Sequence, residues 1–134
     1  MKDRKQKTLI AYLCYVNDKN RDRRFNNFKS SLESLAKINR NDCEIIAINN
    51  NCSEDVVKML TESDNIDQVL HFDKNYWDVS VIFTCAYLAS KKGMKFSCYL
   101  YDDFVVYDED FIGPTTSFLN DSHDRRGVRR ICRN

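Results

Sequence analysis

The sequence predicts a three-layer α/β/α domain in which a mostly parallel sheet lies between two layers of helices. Short apolar runs rich in β-forming residues alternate along the chain with segments whose apolar residues recur at helical spacing. The runs are nearly continuous in apolar residues, as in strands that are buried on both faces. The 134 residues also include only three glycines and one proline, which argues against a turn-rich all-β fold.

The first half of the chain predicts two strands and two helices. Residues 8–16 and residues 43–48 are the first two apolar runs. Between them, apolar residues recur at spacings of three and four, which indicates one buried face of a helix. These residues are Phe25, Phe28, Leu32 and Leu35. Ser53 is the expected N-cap of the second helix, because Glu54 and Asp55 after it complement the helix dipole.

The second half predicts a third strand at residues 68–72 and a fourth at residues 96–101. A helix between them is expected to begin near Asp78 and to end before Gly93, a good C′ residue. The side of this helix that we expect to be apolar is Val79, Ile82, Phe83, Ala86 and Ser90. Residues 104–107 are expected to continue as a short strand.

The resulting order, β-α-β-α-β-α-β, is typical of a Rossmann-like fold with right-handed crossovers. We expect one domain at residues 1–120 and a basic tail at residues 121–134, which carries five arginines against two aspartates. The whole chain has 21 Lys+Arg against 20 Asp+Glu, so its net charge of +1 argues against nucleic acid as the general partner.

The cysteines and the apolar runs indicate the cellular compartment of the protein. Six cysteines show no C-x-x-C pair and several stand in apolar runs, which favours reduced, buried thiols. No run approaches the roughly 20 apolar residues of a membrane span, and the charged N-terminus does not have the pattern of a signal peptide. We therefore expect a cytoplasmic protein.

Polar residues follow each predicted strand. In an open parallel sheet, ligands bind beyond the carboxyl ends of the strands, so these residues are expected to share one rim. The rim residues are Asn17 and Asp18, then Asn49, Asn50 and Asn51, then Asp73, Lys74 and Asn75, and finally Asp102 and Asp103. His71, which lies within the third apolar run, is expected to be a core histidine with a hydrogen-bond partner.

The Asp102–Asp103 pair is the most specific of these signals. Two adjacent carboxylates with apolar residues on both sides repel each other and are costly to desolvate unless a cation pairs with them. Mg²⁺ and Mn²⁺ prefer carboxylate oxygens and keep positions for the phosphates of a substrate. The alternative is a solvated pair of aspartates in a turn at the end of a strand.

These segments together resemble the nucleotide-binding half of GT-A glycosyltransferases, particularly family 2. Residues 48–54 (INNNCSE) look like the segment after the second strand of that family, V-D-N-x-S-x-D. Residues 74–77 (KNYW) and the helix after them look like its N-x-G loop. Residues 96–104, followed by residues 108–112, look like the strand that delivers the metal-binding DXD motif. The resemblance covers about residues 8–112.

The resemblance implies that the protein binds a nucleotide-diphosphate sugar through Mn²⁺ or Mg²⁺ and transfers the sugar to an acceptor that the sequence does not identify. Asp102 and Asp103 correspond to the metal-binding carboxylates, Asp102 also facing the ribose, and Asn49 falls where the family contacts the base. The nucleotide-sugar-binding residues that we predict are Asn17, Asp18, Asn49, Asn51, Asn75 and Asp102.

The chain also departs from the family pattern. Phe104 stands in the third place of the DXD motif, Asn49 replaces an aspartate and Trp77 replaces the glycine. The length fits a nucleotide-binding half better than a complete transferase. Only Asp121, His123 and Asp124 follow the motif as candidates for a general base. Tyr76 and Trp77 either stack on the ligand or pack the start of a helix.

Two other functions are compatible with the residues. One is a non-catalytic, truncated relative of the fold that binds nucleotides or serves in assembly, with a second copy or a partner chain supplying what is missing. The other is a nucleic-acid-binding module that uses the arginine-rich tail, which the balanced charge of the chain and its lack of a nucleic-acid-binding motif disfavour.

Overall fold

A computed structural model describes residues 8–76 and 78–108 together with Ile112. Four strands form one sheet: β1 (Thr8–Cys14), β2 (Cys43–Asn50), β3 (Gln68–Phe72) and β4 (Phe96–Tyr101). Their order across the sheet is β3-β2-β1-β4, and every neighbouring pair is parallel. The predicted α/β class with a parallel sheet is confirmed, and all four strands lie within or next to the predicted apolar runs.

Three α-helices connect the strands: α1 (Arg21–Ser34), α2 (Glu54–Glu62) and α3 (Asp78–Lys91). Ser53 is the N-cap of α2, as predicted. Gly93 follows α3 with a φ of +68°, the left-handed conformation that makes glycine the favoured C′ residue. Short 3₁₀ turns at Leu35–Lys37 and Arg40–Asp42 bring the chain from α1 into β2.

The strand residues alternate between two cores, which produces the three layers. In β1, Ile10, Tyr12 and Cys14 face the core that α1 and α2 cover, whereas Leu9, Ala11 and Leu13 face the core that α3 covers. This alternation follows from the two-residue period of a strand. Because both faces of β1 and β2 are covered, both strands are apolar along nearly their whole length.

The prediction for the buried face of α3 is wrong. Val81, Cys85 and Ala89 are the buried residues, at spacings of four. Ile82, Phe83, Ala86 and Ser90, which we expected on the apolar side, are exposed. The helix has apolar residues nearly all round, so periodicity does not choose between its faces. Small residues at the contact allow α3 to pack closely on the sheet.

Residues 104–107 do not form the expected short strand. The backbone carbonyl of Phe104 accepts a hydrogen bond from the Ser31 hydroxyl, and the Val106 N–H donates to Ser34 Oγ. These side chains of α1 satisfy backbone groups that a strand would direct to a neighbour. The segment after β4 is therefore attached to the α1 side of the sheet.

Several other expectations concern single residues. His71 is exposed rather than buried in the core, because its strand lies at the edge of the sheet, although its ring nitrogen has a partner in Asn49. No disulfide joins any two of the five described cysteines, and Cys132 lies outside the described residues. No helix in the described part of the chain is long and apolar enough to cross a membrane. The proposed boundary at residue 120 lies outside the described residues.

Candidate functional site

The candidate site lies at the carboxyl edge of the sheet, where the strand order reverses. β2 and then β3 lie on one side of β1, and β4 lies on the other side, so the direction in which strands are added reverses between β3 and β4. In open α/β sheets, such a switch point creates a crevice in which ligands bind. The predicted polar clusters follow β1, β3 and β4 as expected, whereas β2 continues through Asn50, so Asn49 and Asn50 are its last two residues.

Asp102 joins the two sides of this crevice. Its Oδ2 accepts a hydrogen bond of 2.7 Å from the backbone N–H of Tyr15, which follows β1. Its Oδ1 accepts one of 2.5 Å from the guanidinium of Arg24 in α1. The residue is 1% exposed. Asp102 therefore holds the end of β4 to the loop after β1 and to the first turns of α1.

Arg24 provides the counter-charge that this buried carboxylate needs. Partial burial of the guanidinium disfavours its charged form, but the hydrogen bond and the charge of Asp102 outweigh that effect and raise the pKa of Arg24. The Arg24 side chain is about one-third exposed, so the ion pair is only partly buried. The pair leaves Asp102 with little unbalanced negative charge.

Asp103 differs from its neighbour in its burial. It is exposed at the rim, in the turn that the Phe104 N–H closes by donating to the Tyr101 carbonyl at 3.0 Å. Strand alternation explains the difference, because Asp102 continues the face of Leu100 toward α1, and Asp103 continues the opposite face. The two aspartates therefore present one shielded and one accessible carboxylate.

The loop after β1 is ordered by short-range hydrogen bonds. Asn20 donates from its side chain to the Tyr15 carbonyl and accepts from the Asn17 N–H, at 3.0 and 2.9 Å. Asn17 in turn accepts from the Lys19 N–H at 3.0 Å. The predicted site residue Asn17 thus stabilises the turn, whereas Asp18 is exposed at its tip. Of this pair, Asp18 has the carboxylate that is accessible to a ligand.

The loop after β2 uses Asn49 in a similar way. Asn49 is mostly buried; its Oδ1 accepts from the Cys52 N–H at 2.8 Å, and its Nδ2 lies 3.1 Å from His71 Nδ1. Asn51 is exposed and has a φ of 63°, which asparagine tolerates better than most residues. Asn49 therefore positions the loop, and Asn51 projects from it.

Arg21 connects the first two loops. Its guanidinium donates to Ser53 Oγ at 3.1 Å and to the Asp55 carboxylate at 2.6 Å, and the Ser53 N–H donates to the Val16 carbonyl at 3.1 Å. Hydrogen bonding to Arg21 lowers the pKa of Asp55 below its usual range. The beginnings of α1 and α2 are thereby held together at the rim.

The loop after β3 is held by Asn50, which is 2% exposed. Its side chain donates to Asn75 Oδ1 and to the Tyr76 carbonyl, both at 2.8 Å, and accepts from the Tyr76 N–H at 2.7 Å. The Tyr76 ring packs edge-on against Phe72 and receives the Lys74 ammonium at 5.3 Å from its centroid. The Tyr76 ring thus packs within its own loop, and Trp77 lies outside the described residues.

A thiol pair lies below the first two loops. Cys52 Sγ is 3.1 Å from the carbonyl oxygen of Cys14, the last residue of β1. A hydrogen bond from the Cys14 thiol lowers the pKa of Cys52, whereas the same bond and burial raise the pKa of Cys14. The Cys52 thiol therefore attaches the loop after β2 to the end of β1.

The donor set at the rim limits the kind of metal site that it can form. Among the described residues, no group of three or more His, Cys, Asp or Glu side chains is arranged to hold a metal ion. Asp102 already accepts hydrogen bonds at both oxygens, so Asp103 is the accessible carboxylate of the pair. This set does not suit zinc, but it suits a hard cation that takes most of its ligands from water and from phosphates.

Two residues that organise the site were not predicted from sequence, Arg24 and Asn50. Arg24 precedes Phe28 by four residues and so lies on the same helical stripe that packs on the sheet. That spacing could have identified it as the partner of a buried carboxylate. The sequence places Asn50 at the rim, but it does not show that Asn50 holds the loop after β3, because that role requires β2 and β3 to be adjacent. The candidate bases Asp121, His123 and Asp124 lie outside the described residues.

Comparison with solved structures identifies the fold. The chain is similar to S. aureus TarS, a GT-A-like glycosyltransferase. In the crystal structure of TarS residues 1–349 in complex with UDP-GlcNAc, the match has a TM-score of 0.60 and a sequence identity of 13%. It covers 92% of this chain and 37% of the TarS chain. Two further crystal structures of TarS match at TM-scores of 0.57 and 0.55, with 14% and 16% identity. These matches cover 23% and 38% of the two TarS chains, and each of them covers 92% of this chain.

These matches confirm the GT-A-like fold that the sequence predicts. The chain spans less than two fifths of the length of the TarS structures that it matches. No protein-family model and no curated protein matches the sequence. At this level of identity, the comparison establishes the architecture of the chain and leaves its activity to be argued from the site.

Proposed function

We propose that this chain binds a nucleotide-diphosphate sugar at the carboxyl edge of its sheet and serves as the nucleotide-binding part of a metal-dependent glycosyltransferase. The observation that carries the proposal is the carboxylate pair at the end of β4, which stands at the switch point of a fold similar to TarS. One of those TarS structures is a complex with UDP-GlcNAc, so a uridine-diphosphate sugar is the first ligand to test.

The charges of the rim suit such a ligand when a divalent cation accompanies it. A diphosphate next to exposed Asp103 and Asp18 would be repelled unless a cation lay between them. We propose Asp103 as the side-chain ligand of Mn²⁺ or Mg²⁺, with phosphate oxygens and water completing the shell. When bound, the cation would offset the negative charge that develops on the leaving nucleoside diphosphate.

Asp102 has a positioning role in this proposal. Its bonds to Arg24 and to the Tyr15 N–H fix the turn in which Asp103 lies, and its burial keeps solvent from those bonds. Asn17, Asn49 and Asn75 likewise hold their loops through backbone or side-chain bonds. Asp18 and Asn51 are the exposed residues of the predicted set that remain to contact the nucleotide sugar.

The test is calorimetric titration of the full chain with UDP-GlcNAc in the presence and absence of Mn²⁺. We expect binding that depends on Mn²⁺, and Asp103→Asn should weaken it at least about tenfold, because the substitution removes the charged ligand. Asp64→Asn is the matched control, since Asp64 is an exposed aspartate in the turn before β3, at the opposite edge of the sheet. It should bind as the unchanged protein does.

The two parts of the proposal fail separately. If neither UDP-GlcNAc nor a GDP-sugar binds under any metal condition, nucleotide-sugar binding is wrong. If UDP-GlcNAc binds equally well without Mn²⁺ and to Asp103→Asn, the ligand assignment stands and the cation site is wrong.

A second candidate function is a nucleotide-binding or assembly module that does not transfer the sugar. One observation favours it: the guanidinium of Arg24 neutralises one carboxylate of the pair. Binding of UDP-GlcNAc without hydrolysis or transfer across a panel of acceptors would support this module over the transferase.

A further inference from the structure

Two thiols meet beneath the rim, where the end of β1 approaches the loop after β2. Cys14 is the last residue of β1 and lies opposite Asn49 in the parallel register with β2. The chain then turns at Asn51, which has a φ of 63°, and the Cys52 N–H donates to Asn49 Oδ1 at 2.8 Å. This turn brings Cys52 Sγ to 3.1 Å from the Cys14 carbonyl oxygen. We refer to Cys14 and Cys52 as the thiol pair.

Both side chains of the thiol pair lie on the same side of the sheet. Cys14 belongs to the core that α1 and α2 cover, and Cys52 packs against that core. The Cys14 thiol donates a hydrogen bond to the Cys52 sulfur. Just beyond the pair, the Ser53 N–H donates to the Val16 carbonyl at 3.1 Å, which holds the two segments together. We therefore expect rotation of the side chains, without movement of the strands, to bring the two sulfurs to bonding distance.

The two thiols differ in access and in acidity, since Cys14 is fully buried and Cys52 is partly exposed. The hydrogen bond from Cys14 lowers the pKa of the Cys52 thiol, although burial opposes this effect. The backbone N–H groups of Val16 and Asn50 lower this pKa further. The same thiol–thiol bond, and then burial, raise the pKa of Cys14. Because the thiolate is the reactive form of cysteine, Cys52 is the member that reacts first with a reagent from solvent.

The other described cysteines are placed differently. Cys43 begins β2 at the amino end of the sheet, whereas the thiol pair lies at the carboxyl end. Cys85 and Cys98 belong to different cores, on opposite faces of the sheet. Burial raises the pKa of both, that of Cys98 to about 12, so neither has a reactive thiolate at neutral pH. Among the described cysteines, the thiol pair therefore combines proximity with a reactive member.

We propose that the thiol pair is a peroxide-sensitive redox site, at which Cys52 is oxidised first and Cys14 then closes a disulfide. The Cys52 thiolate attacks hydrogen peroxide, the O–O bond breaks, and Cys52 becomes a sulfenic acid. The hydroxide that leaves takes up the proton released by the Cys52 thiol and becomes water. The Cys14 sulfur then attacks the sulfenic sulfur, the S–O bond breaks, and the departing hydroxide takes the Cys14 proton to form a second water. The electron pair that the thiols lose reduces the peroxide.

The disulfide would link two of the loops that form the rim. Cys14 precedes Tyr15, whose N–H donates to Asp102. Cys52 follows the exposed Asn51. Oxidation would fix the spacing of these loops covalently, and reduction by a thiol would restore the pair. The redox site is independent of the nucleotide-sugar site, since neither the oxidation nor its test involves a nucleotide.

Peptide mapping of the full chain tests the redox site, with Cys132→Ser introduced so that no thiol outside the described residues competes. The chain is treated with hydrogen peroxide at neutral pH, its remaining thiols are alkylated, and it is cleaved by trypsin and by a protease that cuts after glutamate. Cleavage after Glu44 separates Cys52 from Cys43. We expect a disulfide between the peptides of residues 8–19 and residues 45–54, which dithiothreitol removes.

Variants assign the roles of the two thiols. In Cys14→Ala, oxidation of Cys52 should stop at the sulfenic acid, which dimedone traps. The unchanged chain should give at least about tenfold less of this trapped product, because Cys14 consumes the sulfenic acid. The matched control is Cys98→Ser, at another partly exposed cysteine, and it should form the same disulfide as the unchanged chain. Circular dichroism checks that the variants are folded.

A measurement on the reduced, unchanged chain does not depend on any variant. Iodoacetamide should alkylate Cys52 at least about tenfold faster than Cys98, because only the thiolate reacts and the pKa of Cys98 is raised to about 12. Mass spectrometry of the same peptides follows both rates.

Several results would overturn the redox site. Absence of the disulfide between Cys14 and Cys52 in the peroxide-treated, folded chain would do so, as would its formation only in urea, where the fold no longer brings the thiols together. Alkylation of Cys52 that is no faster than that of Cys98 would show that Cys52 is not the reactive member. Equal trapping of the sulfenic acid in the unchanged chain and in Cys14→Ala would show that Cys14 does not close the bond.

Discussion

Asp102 and Asp103 are adjacent in the chain, yet their surroundings differ completely. One is 1% exposed and bonded to a guanidinium and a backbone N–H, and the other lies at the surface. Burying a carboxylate without a partner is costly, and the hydrogen bond from the Arg24 guanidinium offsets that cost at Asp102. The accessible chemistry of the motif is therefore concentrated in a single carboxylate.

Arg24→Ala should destabilise the fold by about 2 kcal/mol. The substitution leaves the buried Asp102 carboxylate with only the Tyr15 N–H as a partner. The expected loss is smaller than the roughly 3–5 kcal/mol for breaking a fully buried ion pair, because Arg24 is partly exposed. Urea denaturation measures the change in the free energy of unfolding. The control is Arg23→Ala, at the exposed position directly before Arg24 in α1. It should change the free energy of unfolding by less than about 0.5 kcal/mol. Equal losses in the two variants would contradict the structural role of the ion pair.

At the scale of the elements, α1 connects the core to the site. Its stripe of contacts runs from Arg24 at the rim through Phe28 to Ser31 and Leu32 in the core. Ser31 is fully buried, accepts a hydrogen bond of 2.9 Å from the Tyr12 hydroxyl and donates one of 2.6 Å to the Phe104 carbonyl. The helix thereby joins β1 to the segment that follows the aspartate pair.

Ser31→Ala should cost about 2 kcal/mol of stability, because it leaves the buried Tyr12 hydroxyl and the Phe104 carbonyl without their partner. The matched control is Ser30→Ala, which changes an exposed serine one position earlier on the same helix. Thermal and urea denaturation of the two variants measure the difference. If Ser31→Ala were as stable as Ser30→Ala, the link from β1 through α1 to residue 104 would not contribute to the fold.

At the scale of the whole molecule, the sheet order brings the aspartate turn after β4 next to the loop after β1. Asp102 and Tyr15, which are bonded there, are 87 residues apart in the sequence. Ligand at that crevice would contact loops from several strands at once. A molecule bound there should therefore stabilise the fold as a unit rather than a single loop.

UDP-GlcNAc with Mn²⁺ should raise the midpoint of thermal unfolding of the chain. At a ligand concentration of one hundred times the dissociation constant, linkage predicts about 2.7 kcal/mol of added stability. Differential scanning calorimetry measures the shift, and an excess of EDTA should remove most of it. GlcNAc alone, which lacks the diphosphate, is the control and should leave the midpoint unchanged. An equal shift with and without EDTA would show that the cation does not contribute to binding.

The class of the fold, the positions of the four strands and three helices, and the polar rim were all predictable from the residues. Strongly apolar runs leave few alternatives to buried strands, and Ser53 and Gly93 mark helix ends through local backbone chemistry. The buried face of α3 was not predictable in this way, because apolar residues occur nearly all round that helix. Nor was the pairing of Arg24 with Asp102 beside an accessible Asp103, because the order of the strands in the folded sheet sets which distant side chains meet.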